Sequence, residues 1–238
     1  MNRDELLQAF FGDTDWTPHT LEPHYFDGRA RIGDEMITVI GTAGRAEVGV
    51  DLCLRMASAL LECVRKRPGE PVVFFLDTQG QRLRRRDELL GLNGYMAHLA
   101  KTCEVARRMG HPLLSVVYGE AVSGGYLTTG MMADACYATA SAEIKVMNLP
   151  AMARITKVPL EKLQALSKQS PVFSPGVDNY LRMGHLRAVW SGDYAARLAE
   201  ALAEVRAAAD RQDRRMQLGL ERGGRLVAAP IADRVAHG

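Results

Sequence analysis

The stretch of this chain with the most to offer chemically is VVYGEAVSGGYLTTGMMAD, residues 116–134. An apolar strand runs into a glycine-bearing turn, and Ser123 is placed to cap a short helix that starts near Gly124 and Gly125 and runs to about Ala133. Backbone N–H groups at such a start have no acceptor behind them and carry the positive end of the helix dipole. With no side chain at Gly124 or Gly125, an acyl oxygen can approach the backbone closely. That is the design of an oxyanion hole, with the amides of Gly125 and Tyr126 as donors and Ser123 and Gly124 lining the substrate. The same glycines also suit a tight strand-to-helix turn packed on a neighbouring element, a common use of the residue.

Ser123 invites comparison with nucleophilic serines. The elbow G-x-S-x-G fails, because Ala121 stands where its first glycine belongs. The pattern Gly119-x-Ala121-x-Ser123-x-Gly125 instead resembles the serine motif of the Clp peptidases. In the stretch Val146-Met-Asn-Leu-Pro150, however, Asn148 occupies the place of the histidine base. An amide cannot take a proton from serine, so Ser123 reads as a helix cap and substrate neighbour, not a nucleophile.

A second stretch, FFLDTQGQRLRRRDELLGLNGYMAHLAK, covers residues 74–101. Gln79 and Gly80 fall at the C-terminal end of a buried strand, where open α/β sheets bind ligands. The run Arg82, Arg84, Arg85 and Arg86 follows. Four arginines in a loop are commonly a solvated face with local ion pairs; here they also suit docking of a phosphate or an acidic carrier protein. Gly41-x-x-Gly44 with Gly49 lacks the lysine of a P-loop. Neither the six histidines nor Cys53, Cys63, Cys103 and Cys136 show metal-ligand spacing, so no metal and no disulfide framework is expected.

The elements that must hold these stretches alternate. A strand at Met36–Ile40 precedes a helix reaching Arg67, marked by Val48, Leu52, Met56, Leu60 and Val64 at every fourth position. A strand at 72–76, a helix at 86–108 and a strand at 113–118 follow, then short strands at 135–138 and 143–146. Helices are expected at 159–169 and 193–218, the latter with Leu198, Leu202, Val205 and Ala209 on one face; 171–190 reads as mixed, and the tail from Gly223 shows no clear period. Residues 1–35 read as an irregular arm with a short helix. The order predicts one α/β domain with mostly parallel pairing: arm 1–35, core 36–190, and a C-terminal helix and tail 191–238. The 238 residues carry 47% apolar and 24% charged side chains, the mix of a globular domain. A net charge of +2 and 6% aromatics give no case for nucleic acid or an anionic membrane. No apolar run approaches a membrane span or a signal peptide, and reduced thiols fit the cytoplasm.

Four runs carry a family resemblance: DTQGQRLRRRDELLGLNGYMAHLAK, VYGEAVSGGYLTTGMMADACYA, VMNLPAMARITKVPLEKL and SPVFSPGVDNYLRMGHL, over about residues 70–190. They resemble the γ subunit of malonate decarboxylase, a relative of the α half of acetyl-CoA carboxylase carboxyltransferase. The first two match the carboxyltransferase Asp-Thr-Pro-Gly and Gly-Glu-x-x-Ser-Gly-Gly; Tyr126 departs from that pattern, which continues with alanine. The resemblance implies a crotonase-like β/α spiral with a C-terminal helical extension, pairing with a homologous β subunit, and helices after residue 190 packed on that partner. It implies decarboxylation of a malonyl thioester held on the phosphopantetheine-type arm of an acyl carrier protein, with no biotin and no cofactor bound by this chain. Two alternatives stand beside it: a carboxyltransferase half of a biotin-dependent complex, and a scaffold whose partner carries the chemistry.

Overall fold

The computed structural model describes residues 1–169, 176–208, 212–224 and 226–238. The chain begins with helix α1 (Arg3–Phe11), closed by a reciprocal cap in which Asn2 and Glu5 each accept the other's amide at 2.9 Å. Strands β1 (Trp16–Leu21), β2 (Tyr25–Ile32) and β3 (Glu35–Thr42) then form an antiparallel meander. Most of the irregular arm expected over 1–35 is thus sheet, in the strands β1 and β2 and the start of β3. The signal for it was the Gly33-Asp34 pair between two alternating runs, with Gly33 at φ 58° in the tight turn.

Strand β4 (Ala46–Val48) leads into helix α2 (Val50–Lys66), strand β5 (Val72–Gln81), helices α3 (Arg85–Leu89) and α4 (Leu92–Arg108), and strand β6 (Leu113–Val122). The single helix expected over 86–108 is two, because Gly91 sits left-handed at φ 75° and turns the chain between them. Helix α5 (Ser123–Leu127) ends well before Ala133; a 3₁₀ turn over Gly130–Met132 completes that stretch. There follow β7 (Ala135–Thr139), β8 (Glu143–Lys145), α6 (Leu149–Thr156), α7 (Leu160–Gln169), α8 (Val177–Arg182), β9 (Ala188–Trp190), α9 (Tyr194–Ala207), α10 (Arg215–Glu221) and α11 (Ala228–His237). The long helix expected at 193–218 is therefore α9 and α10, two separate elements. Ala209 and the first part of the SPVFSPGVDNYLRMGHL run lie outside the described residues.

The strands form one sheet in the order β1-β2-β3-β5-β6-β7-β9, with β4 beside the end of β5 and β8 beside the end of β6. From β3 onward every pairing is parallel. Alternation along β5 divides the core. Val72, Phe74 and Leu76 face α2 and α4, whereas Val73 and Phe75 face α1 and α9. All four cysteines are free and buried. No helix among the described residues is long and apolar enough to cross a membrane.

Candidate active site

Strands β5 and β6 both run several residues past the central sheet, and the extra length is where the site lies. Their pairing is regular from Val72↔Leu113 to Leu76↔Val117 and then jumps to Thr78↔Ala121, so Tyr118–Glu120 bulge out of β6. A second shift, between Ala46↔Thr78 and Glu47↔Gly80, pushes Gln79 out of β5 to the surface. Asp77, 9% exposed, fills the gap: its Oδ1 accepts the Glu120 amide at 2.9 Å and its Oδ2 the Arg45 amide at 2.8 Å. Gly80, at φ 104°, spends its amide on Thr78 Oγ1 at 3.1 Å.

Helix α5 starts directly from the end of β6. Val122 is the N-cap position and no side chain caps the helix, so Ser123 does not play the capping role expected of it. Ser123 is instead the first helical residue, at φ 46°, and its half-buried hydroxyl makes no hydrogen bond among the described residues. The opening amides of α5, those of Gly124 and Gly125 among them, have no carbonyl one turn back. Thr128 and Thr129 close the other end through their hydroxyls, onto the carbonyls of Gly124 and Gly125 at 3.0 and 3.2 Å.

The need for glycine in this turn has a packing cause. A Cβ on Gly125 would lie 2.8 Å from Thr78 Oγ1 and 3.1 Å from the Gly80 backbone; one on Gly124 would lie 2.7 Å from Met96 Cε and 3.1 Å from Gln81 Oε1. The bare faces of both residues are thus filled by β5 and α4, and the tight-turn reading of these glycines holds. Gly80, Gly124 and Gly125 come together, with Gln81 against them. The Tyr126 side chain points inward. It is 2% exposed, its hydroxyl shares a hydrogen bond with His185 Nε2, and the two rings meet edge to face at 5.4 Å. Burial holds that phenol well above its ordinary pKa, so the side chain of Tyr126 belongs to the core.

Strand β8 lies beside β6 with Val122 opposite Lys145, so the chain leaving β8 passes the turn. Asn148 follows three residues later, exposed, and caps α6 by accepting the Ala151 amide at 2.8 Å. The arginine run leaves β5 on the other side. Arg82 and Arg84 lie 3.5 and 3.8 Å from Glu47, and Arg86 makes a two-pronged pair with Asp51 at 2.9 and 3.2 Å, which holds the Asp51 carboxyl below its usual range. Arg85 is exposed and has no ion pair among the described residues, and Leu83 and Leu89 stand 79% and 76% exposed between these charges. Asp87, passed over in the sequence, is buried and accepts the Val50 amide at 2.9 Å, holding the start of α2. Its signal was an acid directly after four cations. Among the described residues no cluster of three or more His, Cys, Asp or Glu could hold a metal.

A parallel sheet whose central strand breaks into a glycine-packed helix start, with few polar side chains at the break, defines an α/β protein of the crotonase and carboxyltransferase kind. Transcarboxylase 12S shares that fold at TM-score 0.72 and 19% identity, over 87% of this chain and 42% of that one. The chain belongs to the malonate decarboxylase gamma subunit family, whose sequence model matches residues 43–238. A subunit in the Pseudomonas malonate decarboxylase hetero-tetramer, solved with coenzyme A, superposes at TM-score 0.77 with 26% identity, covering 97% of this chain and 95% of that one. Malonyl-S-ACP:biotin-protein carboxyltransferase MADD of Malonomonas rubra is 28% identical over 257 residues, spanning 96% of this chain and 88% of the relative.

Proposed function

We propose that this chain is one half of a heteromeric carboxy-lyase: with a homologous β subunit it decarboxylates a malonyl thioester held on an acyl carrier protein. The observation that carries the reading is the family match over 43–238 together with an uncapped helix start at 123–126 that sits on the β5 strand end. When the bond between the α-carbon and the carboxylate breaks, its electron pair passes to the thioester carbon–oxygen unit as an enolate, and CO2 leaves. The α-carbon then takes a proton to give the acetyl thioester. The step needs fixed donors where the oxygen charge develops and no strong grip on the departing carboxylate. The amides of Gly125 and Tyr126 supply the donors, and Ser123, Gly124, Gln79, Gly80 and Asn148 border the substrate. Neither a nucleophile nor a metal enters this step.

The carrier docks on the arginine run, led by Arg85, and its phosphopantetheine-type arm reaches the turn past Gln81. The β subunit covers the C-terminal helices, where Leu226, Val227, Ile231 and Val235 stand 54–80% exposed. The chain expressed alone is then expected to self-associate. The chain works in the cytoplasm as one domain with no cofactor of its own. The relative named as a biotin-protein carboxyltransferase favours a second reading, in which the CO2 equivalent passes to biotin instead of leaving free. Co-purification with the β subunit and carrier encoded nearby, followed by CO2 release from malonyl-carrier with avidin present, decides. Avidin-resistant release supports the decarboxylase; release abolished by avidin supports the carboxyltransferase; full turnover by the β subunit alone makes this chain a scaffold.

A further inference from the structure

We infer that Asp77 is a positioning residue for the 123–126 turn: its buried carboxylate holds the ends of β5 and β6 at the spacing that aims the α5 amides. The inference rests on the decarboxylase reading for its chemical consequence, but its geometry stands apart from it. Gly80 lies three positions after Asp77, and Ser123 three positions after Glu120. The carboxylate therefore sits at the base of both strand ends that meet at Gly125.

The bulge in β6 leaves the Glu120 amide without a ladder partner on β5, and Asp77 Oδ1 takes that place. Oδ2 takes the amide of Arg45, which is itself left-handed at φ 53° after Gly44 at φ 61°. The Arg45 guanidinium returns to the Glu120 carboxylate at 3.1 Å, and Lys145 on β8 approaches the same carboxylate at 3.9 Å. One carboxylate thus ties the β3–β4 turn, β5 and β6 together, and an ion-pair triad at the rim adds β8. Gly119 is part of the device, because a Cβ there would lie 2.4 Å from Asp77 Oδ1. Gly119 has no left-handed backbone to protect; it is bare to admit the carboxylate. Displacing a reacting group by about 1 Å can cost on the order of 10²-fold in rate.

The test uses the assembled complex. Asp77→Asn puts an amide N–H2 against one of two backbone N–H groups, and Gly119→Ala pushes an unaltered carboxylate out of its place. Both are expected to lower kcat for malonyl-carrier at least about tenfold per assembled complex, with KM within about twofold of wild type. Amide exchange across 118–127 should quicken in both. If Asp77→Asn does not fold, Gly119→Ala decides by the same readings. A lower Tm with undiminished kcat, or unchanged exchange across 118–127, would leave Asp77 a stability residue only and overturn the inference. Should the wild-type complex release no CO2 from malonyl-carrier, the decarboxylase reading fails instead, and the exchange arm still decides whether Asp77 holds the turn.

Discussion

The ends of β5 and β6 sit side by side where both strands outrun the central sheet, one carrying Gly80 and the other Gly119, Gly124 and Gly125, yet they are spent differently. At the end of β5 the backbone is satisfied locally: Gly80 donates to Thr78 Oγ1, and β4 pairs along the strand to Gln81. At the end of β6 the chain turns straight into α5 with no capping side chain, and its first amides are left over. One strand end is a platform and the other is a donor. A glycine-rich strand end is therefore not by itself an anion site, and what decides is whether its N–H groups already have acceptors.

The largest expected effect breaks the contact between the two ends. In Gly125→Val the new side chain must displace Thr78 Oγ1 and the Gly80 backbone, so the donor moves off the platform. Loss of one oxyanion donor typically costs about 10²–10³ in kcat, and at least that loss is expected here. The measurement is single-turnover CO2 release by complex that still co-purifies with its partner. Retained turnover would show that α5 does not face the substrate.

Next in size is the arginine loop that leaves the platform. Reversing Arg85 and Arg84 to glutamate should raise KM for carrier-bound malonyl several-fold with kcat nearly unchanged, and added salt should weaken wild-type binding in the same direction. Arg86 should matter less, because Asp51 already neutralises it. An unaltered KM would return the run to a solvated face.

Smaller again is Tyr126→Phe. It removes the hydroxyl bonded to His185 inside the core and keeps the backbone donor. Losing one buried hydrogen bond costs about 0.5–1.5 kcal/mol, so Tm should fall while kcat falls far less than in Gly125→Val. A kcat loss matching the glycine variant would place chemistry on the hydroxyl.

How much of this was legible depends on the range of the cause. The alternation of strands and helices from Met36 to Ala138 shows in the sequence because apolar periodicity is local, and both informative strand ends follow from it. The amphipathic meander of 16–42 was hidden by its turn formers: Pro18, Pro23 and Gly28 look like loop, although Gly28 is bare because Trp16 and Thr17 of β1 press on it. The break between α9 and α10 carries no proline or glycine, and the periodicity of the flanking residues runs through it. The glycines at 124 and 125 were noticed for their lack of side chains, but what fills the space, Met96 and Gly80, comes from elements 28 and 45 residues away. Asp77 and Glu120 could be seen in their motifs; the bulge that joins them could not, since register between strands is a tertiary fact.

The smallest expected effect concerns Ser123, where the local rule and the structure part. A serine ahead of a helix suggests a cap, and removing a cap costs about 0.5–2 kcal/mol. Here the hydroxyl bonds to nothing in the described chain, so Ser123→Ala has no cap to lose and Tm should stay within about a degree. The backbone at φ 46° is the costly feature, and it is unchanged by alanine. Ser123→Gly relaxes it and should raise Tm slightly, provided the freedom gained by the unfolded chain does not offset the strain removed. Turnover in both variants should remain close to wild type if the amides of Gly125 and Tyr126 do the work, because neither change moves β5 against α5. Loss of turnover in Ser123→Ala with Tm intact would instead mean that the strained backbone exists to present the hydroxyl, and the donor set at the end of β6 would gain a side chain.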